Sequence, residues 1–183
     1  MNRISLFAVF CLFAAQAVNA DGFTLTSPQI KPGGRIADEQ VFNGFGCQGG
    51  NVSPALSWKG APTDTKSFAV TVYDADAPTG SGWWHWVMFN IPANVSGLAK
   101  NVGNPEAGLA PAGSVQSRTD FGKPGFGGPC PPAGDKPHRY QITVYALKTD
   151  KLPLDENASA AMVGFYLHQN LLKRAVLNAQ YSR

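Results

Sequence analysis

The sequence predicts a mainly β protein: antiparallel sheets packed in a sandwich-like way, with short peripheral helices near the C-terminus. Three observations predict it. Runs of aromatic and β-branched residues, short enough to be strands, recur along the chain. Glycine and proline, 20 and 14 residues of 183, cluster between those runs as Ala-Pro, Pro-Gly, Gly-Gly and Pro-Pro turn signals. The one segment with helical spacing comes last, so strands do not alternate with helices as a parallel βαβ sheet requires.

The elements follow in order. Residues 1–20 read as a signal peptide: Arg3 supplies the positive start, residues 4–15 form an apolar run too short to span a bilayer, and Val18-Asn19-Ala20 offers small residues for cleavage before Asp21. Residues 21–183 then form a single domain of ordinary size, in a periplasmic or secreted protein that does not span a membrane. Strands are expected at residues 23–26, 67–73, 84–91 and 140–147. Residues 158–176 are expected to be helical, because Met162, Phe165, Leu172 and Val176 recur near helical spacing.

Alternation along the strands places the polar groups. Phe68, Val70 and Val72 share a face, with Asp74 just beyond them. His85 shares a face with Val87 and Phe89, and His138 and Tyr140 with Ile142 and Val144. If these three strands are neighbours, Asp74, His85, His138 and Tyr140 converge at one end of a sheet.

Charge excludes one class of partner. The net charge is only +3, and the 15 basic residues are scattered without a run or a basic-aromatic stripe, so no nucleic-acid footprint is present. Beyond Cys11 in the leader, two cysteines remain, Cys47 and Cys130, both in glycine-rich stretches. An even count in an exported chain favours a disulfide between them. Two free buried thiols are the alternative.

Two motifs gather ionisable groups beside proline-fixed turns. One is Asp74-Ala75-Asp76-Ala77-Pro78 with Trp84-His85. The other is Pro131-Pro132-Ala133-Gly134-Asp135-Lys136-Pro137-His138-Arg139-Tyr140. Two imidazoles, a carboxylate and a phenol suit a small phosphate or carboxylate group held by donated hydrogen bonds. Asp74 beside His85 would favour the imidazolium, and Pro78, Pro131 and Pro132 would pre-set the rim. Ala77–Pro78 is a candidate cis bond. The plainer readings are turn-forming aspartates, a hydrogen-bonded core histidine at 85, and tryptophans that only pack.

Enzyme signatures do not emerge. The chain has no Gly-x-Ser-x-Gly elbow, no His-Glu-x-x-His motif and no phosphate loop. Asp74, His85 and His138 would be a conceivable metal set, but they lack close helical pairing, so no metal and no cofactor are assigned. A hydrolase with His85 or His138 as general base lacks an evident nucleophile.

These two motifs together resemble the phosphatidylethanolamine-binding protein family, in its bacterial, exported Raf kinase inhibitor-like branch. The resemblance rests on Asp-x-Asp-Ala-Pro with Trp-His, and on Pro-Pro-x-Gly with His-Arg-Tyr, and runs from Phe23 to about Tyr181. It implies antiparallel sheets with a short helical C-terminal region and a small anion pocket at one end. By motif it assigns ligand binding to Asp74, Pro78, His85, Cys130, His138 and Tyr140. Phosphate, carboxylate and phosphorylated head groups are the ligands it implies, with no agreed reaction. It also implies a homodimer as one assembly, and leaves Tyr166 and Tyr181 as rival candidates for closing the pocket. The expected function is a non-enzymatic, exported binding or regulatory protein. A protein-interaction module inhibiting a protease or kinase is the alternative.

Overall fold

The computed structural model describes residues 22–183; the expected signal peptide lies outside the described residues. Strands are β1 (Thr24–Thr26), β2 (Asn43–Gly44), β3 (Cys47–Gln48), β4 (Leu56–Lys59), β5 (Ser67–Asp74), β6 (Trp83–Pro92), β7 (Gly97–Leu98), β8 (Val115–Gln116), β9 (His138–Leu147) and β10 (Leu171–Tyr181). One α-helix, α1 (Ala160–Gln169), precedes β10. The main sheet has the order β10-β9-β5-β6-β8, a smaller one β1-β4-β7, and β2 pairs with β3 alone. Every pairing within these sheets is antiparallel.

The two larger sheets close on a shared core. Leu25, Leu56 and Trp58 from the small sheet meet Val70, Val72, Trp86, Met88, Ile142 and Val144 from the large one. The opposite face of the large sheet carries Ala69, Val87, Phe89 and Leu147, which α1 covers with Ala160, Val163 and Leu167. Burying a valine or leucine side chain fully contributes roughly 1.5–3 kcal/mol. With both faces covered, β5 and β6 read as continuous apolar runs, which is why they stood out in the sequence.

The four expected strands appear as β1, β5, β6 and β9, but the expected helix at 158–176 does not run that far. Ser159 caps α1 by accepting from the Met162 backbone N–H at 3.2 Å. After Asn170 the chain becomes β10, an eleven-residue strand paired along β9. The residues that suggested helical spacing are not the buried row: Met162, Phe165 and Val176 are exposed. Instead Ala175, Leu177, Ala179 and Tyr181 are buried at every second position, the period of a strand. One α-helix therefore stands where several short ones were expected.

Two further expectations are decided here. Cys47 and Cys130 form a disulfide across 83 residues of sequence, with Cα atoms 6.0 Å apart. Ala77–Pro78 is trans, since no cis peptide occurs among the described residues.

Candidate functional site

Strand order brings the expected residues together, because β6, β5 and β9 are neighbours. Asp74 ends β5, and its register partners are Trp83 at the start of β6 and Tyr140 near the start of β9. His85 reaches this corner by an irregularity. Val72 pairs with Trp86 and Tyr73 with Trp84, so His85 is an extra residue on β6, a β-bulge. The bulge breaks the alternation that grouped His85 with Val87 and Phe89. Its ring lies instead 5.2 Å from that of Tyr140, whose side chain belongs to the core between the sheets.

A cavity of about 140 Å³ opens at this corner. Asp74, His85, His138 and Tyr140 form its polar side, while Pro78, Cys130, Pro131 and Pro132 form much of its rim. It is smaller than the several hundred Å³ typical of drug-sized ligands. All six residues assigned from the sequence line it.

Asp74 serves His138 rather than His85. One carboxylate oxygen accepts from the Asp76 backbone N–H at 2.9 Å, closing the turn that begins the Asp-x-Asp-Ala-Pro loop. The other lies 2.7 Å from His138 Nδ1, with both side chains buried. Asp135 Oδ2 faces the second ring nitrogen, Nε2, at 3.3 Å. Burial would lower the His138 pKa, but the hydrogen bonds and charges of these two carboxylates outweigh it and the pKa is raised. His138 is held between two acids with both ring nitrogens engaged, an arrangement that favours its imidazolium form.

His85 is the opposite case. Its Nδ1–H donates to the Gly127 carbonyl at 2.7 Å, and the Gly127 N–H donates to the His85 carbonyl at 2.8 Å. Burial lowers its pKa, more than the nearby carbonyls and the Asp74 charge raise it. The neutral form is therefore favoured, with Nδ1–H as the donor to Gly127. The expected Asp74–His85 imidazolium is replaced by Asp74–His138.

Tyr140 completes the polar side. It is 1% exposed, and its hydroxyl faces the Asp74 carboxylate without closing a short hydrogen bond to it. Burial and the Asp74 charge push its pKa up, so it remains a donor.

The loop over the site is pinned from outside. Arg139 grips Asp76 with two side-chain N–H groups, at 2.8 and 2.6 Å, and with its backbone N–H at 2.8 Å. The Arg139 guanidinium holds the Asp76 pKa down to about 2. Because Arg139 is largely exposed, solvent screening keeps the pair's contribution small. Asp76→Ala is expected to lower stability by about 0.5–1 kcal/mol, read by urea unfolding at pH 7. A loss above 2 kcal/mol would show that the loop does more than cover the site.

The sequence reading missed the aromatic wall. Phe45, Trp83 and Phe121 also line the cavity. Phe45 and Phe121 are stacked with centroids 5.9 Å apart, and Trp83 meets Phe121 edge-on at 5.4 Å. Phe45 sits at φ +53, a left-handed conformation that costs a non-glycine residue roughly 1–2 kcal/mol. Its nearness to Cys47 was the one signal available. Neither Tyr166 nor Tyr181 lines the cavity; Tyr181 lies under Arg35, whose guanidinium is 4.7 Å above its ring.

Comparison with known proteins agrees with this fold. A family described as Phosphatidylethanolamine-binding protein matches residues 26–182. The chain is 53% identical over 178 residues to the UPF0098 protein YbcL of Escherichia coli, covering 97% of this chain and 96% of that one. It is 48% identical over 158 residues to the UPF0098 protein YbhB of the same organism, covering 86% and 99%. The crystal structure of E. coli YbcL, described as a new member of the mammalian PEBP family, superposes with a TM-score of 0.87 at 55% identity, covering 88% of this chain and 98% of that one. A Chlamydia trachomatis homolog of phosphatidylethanolamine-binding protein gives a TM-score of 0.74 at 28% identity, covering 90% and 99%.

Proposed function

Because the chain belongs to the phosphatidylethanolamine-binding protein family, we propose that it is an exported, non-enzymatic binding or regulatory protein whose cavity takes a phosphate or carboxylate group. The observation that carries this reading is the convergence of His85 and the buried Tyr140 hydroxyl, backed by the Asp74–His138 pair, on the wall of one small cavity. Ligand binding is assigned to Tyr140 and His85 directly. Asp74 and His138 act as an oriented ion pair behind them, and Pro78 and Cys130 shape the rim. The disulfide supports export, since such bonds persist in oxidising compartments. Residues 1–20 would then be the leader.

An arriving anion accepts from Tyr140 and favours the charged form of His85, so that Nε2 also becomes a donor. Binding then takes up a proton. With His85 neutral in the free protein, affinity is highest at low pH and falls as pH rises, by at most tenfold per unit. A phosphomonoester loses its own second proton near pH 6, which opposes this trend. Acetate keeps one charge across the range and isolates the protein's contribution.

Calorimetry with acetate at pH 5.5–8.5, and with phosphoethanolamine at pH 6, tests the reading on wild type and His85→Ala. Acetate affinity should fall with pH, and His85→Ala should weaken both ligands while the fold survives. Affinity that stays flat across the range would remove the proton-linked mechanism. An absence of binding by either ligand would move the function to recognition of a protein surface, as an inhibitor would use.

A further inference from the structure

Phe45 is 68% exposed at the tip of the β2–β3 hairpin. It occupies the first central position of a two-residue turn, at φ +53, followed by Gly46 at φ +82. Positive φ at both positions is the type I′ pattern, which favours asparagine, aspartate or glycine there. A phenylalanine at this place opposes both backbone preference and the tendency of apolar groups to leave water. Residues held in such conformations concentrate at ligand clamps.

The hairpin is also held firmly. Two-residue strands cannot stabilise themselves, but Cys47 at the base of the turn is joined to Cys130 on the cavity rim. The Phe45 ring packs 5.3 Å from Phe42 and lies flat against Phe121 at 5.9 Å. One end of the cavity is therefore polar, and the mouth presents an aromatic face fixed in place.

We propose that Phe45 is a specificity-determining residue: the polar end holds the anion, while the Phe45 face holds a flat apolar group esterified to it. The site accordingly prefers aryl to alkyl esters of phosphate. This inference rests on the anion reading above and adds the chemistry of the group that anion carries.

The test compares phenyl phosphate with methyl phosphate, by calorimetry at one pH, in wild type, Phe45→Asn, Phe45→Leu and Phe45→Trp. Each protein is judged by the ratio of its two dissociation constants, so a uniform change in anion affinity cancels. Wild type should prefer phenyl phosphate by about fivefold or more, the scale of one aromatic pair. Phe45→Asn should bring the ratio near one with Tm within about 3 °C of wild type, because asparagine suits the turn. Phe45→Trp should keep the preference. Phe45→Leu, apolar but not flat, should lose most of it, and carries the test if the asparagine variant does not fold. A ratio near one in wild type, or an unchanged ratio in the asparagine and leucine variants, overturns the inference and leaves the anion reading intact. Binding of neither ester by wild type overturns both.

Discussion

Replacing Asp74 with alanine is expected to lower the unfolding free energy by about 3 kcal/mol, the low end of what breaking a buried ion pair costs. The loss has two sources. His138 keeps only the partly exposed Asp135 as partner, and the Asp76 N–H loses the acceptor that closes the loop. Shedding its proton lets His138 limit the damage. Asp74→Asn, which keeps an acceptor but not the charge, should cost less.

The pH dependence carries the diagnostic sign. His138 has a raised pKa in the fold, so its pairing stabilises fully below the ordinary value near 6.5 and is lost as pH rises through the raised value. His85 works in the other direction. Its pKa is lowered, so the unfolded chain binds the extra proton and stability falls as pH drops from 6.5 toward the lowered value. Urea unfolding across pH 5–9 should show a maximum in wild type, with the high-pH decline reduced in Asp74→Asn. An Asp74→Ala loss below 1 kcal/mol, or an unchanged high-pH limb in Asp74→Asn, contradicts the pairing.

Replacing Cys47 and Cys130 together by serine is expected to cost about 4–5 kcal/mol in the chain-entropy account, given their 83-residue separation. This bond has a second consequence, because it staples the Phe45 hairpin to the rim. Urea unfolding of the oxidised and the dithiothreitol-reduced wild type should differ by the same amount as wild type and the double variant. A difference under 1 kcal/mol would contradict the chain-entropy account of this bond.

Much of this arrangement was legible in the chain. β5, β6 and β9 are buried on both faces, so they read as long apolar runs, and the motifs at their ends named the residues lining the cavity. What escaped was decided by tertiary pairing. β10 has alternating small and large apolar residues, Ala175, Leu177, Ala179 and Tyr181, but Leu172 and Val176 fell at helical spacing from α1 and masked that period. The face of His85 was misplaced because a bulge shifts alternation by one residue and leaves no mark in composition. The partner of Asp74 was misassigned for a related reason. His85 is nearer along the chain, whereas the register of β5 against β9 puts Asp74 beside His138. Phe45 and Phe121 belong to turns outside both motifs, and the wall they form exists only after folding.

The most direct test of the anion reading is the imidazole ¹⁵N spectrum of histidine-labelled protein, titrated with inorganic phosphate at pH 7. In the free protein, His85 should appear neutral with its proton on Nδ1, and His138 as the imidazolium. At saturation His85 should convert to the imidazolium while His138 stays unchanged. A His85 signal that remains neutral at phosphate concentrations that saturate binding, or no binding at all, would contradict the account.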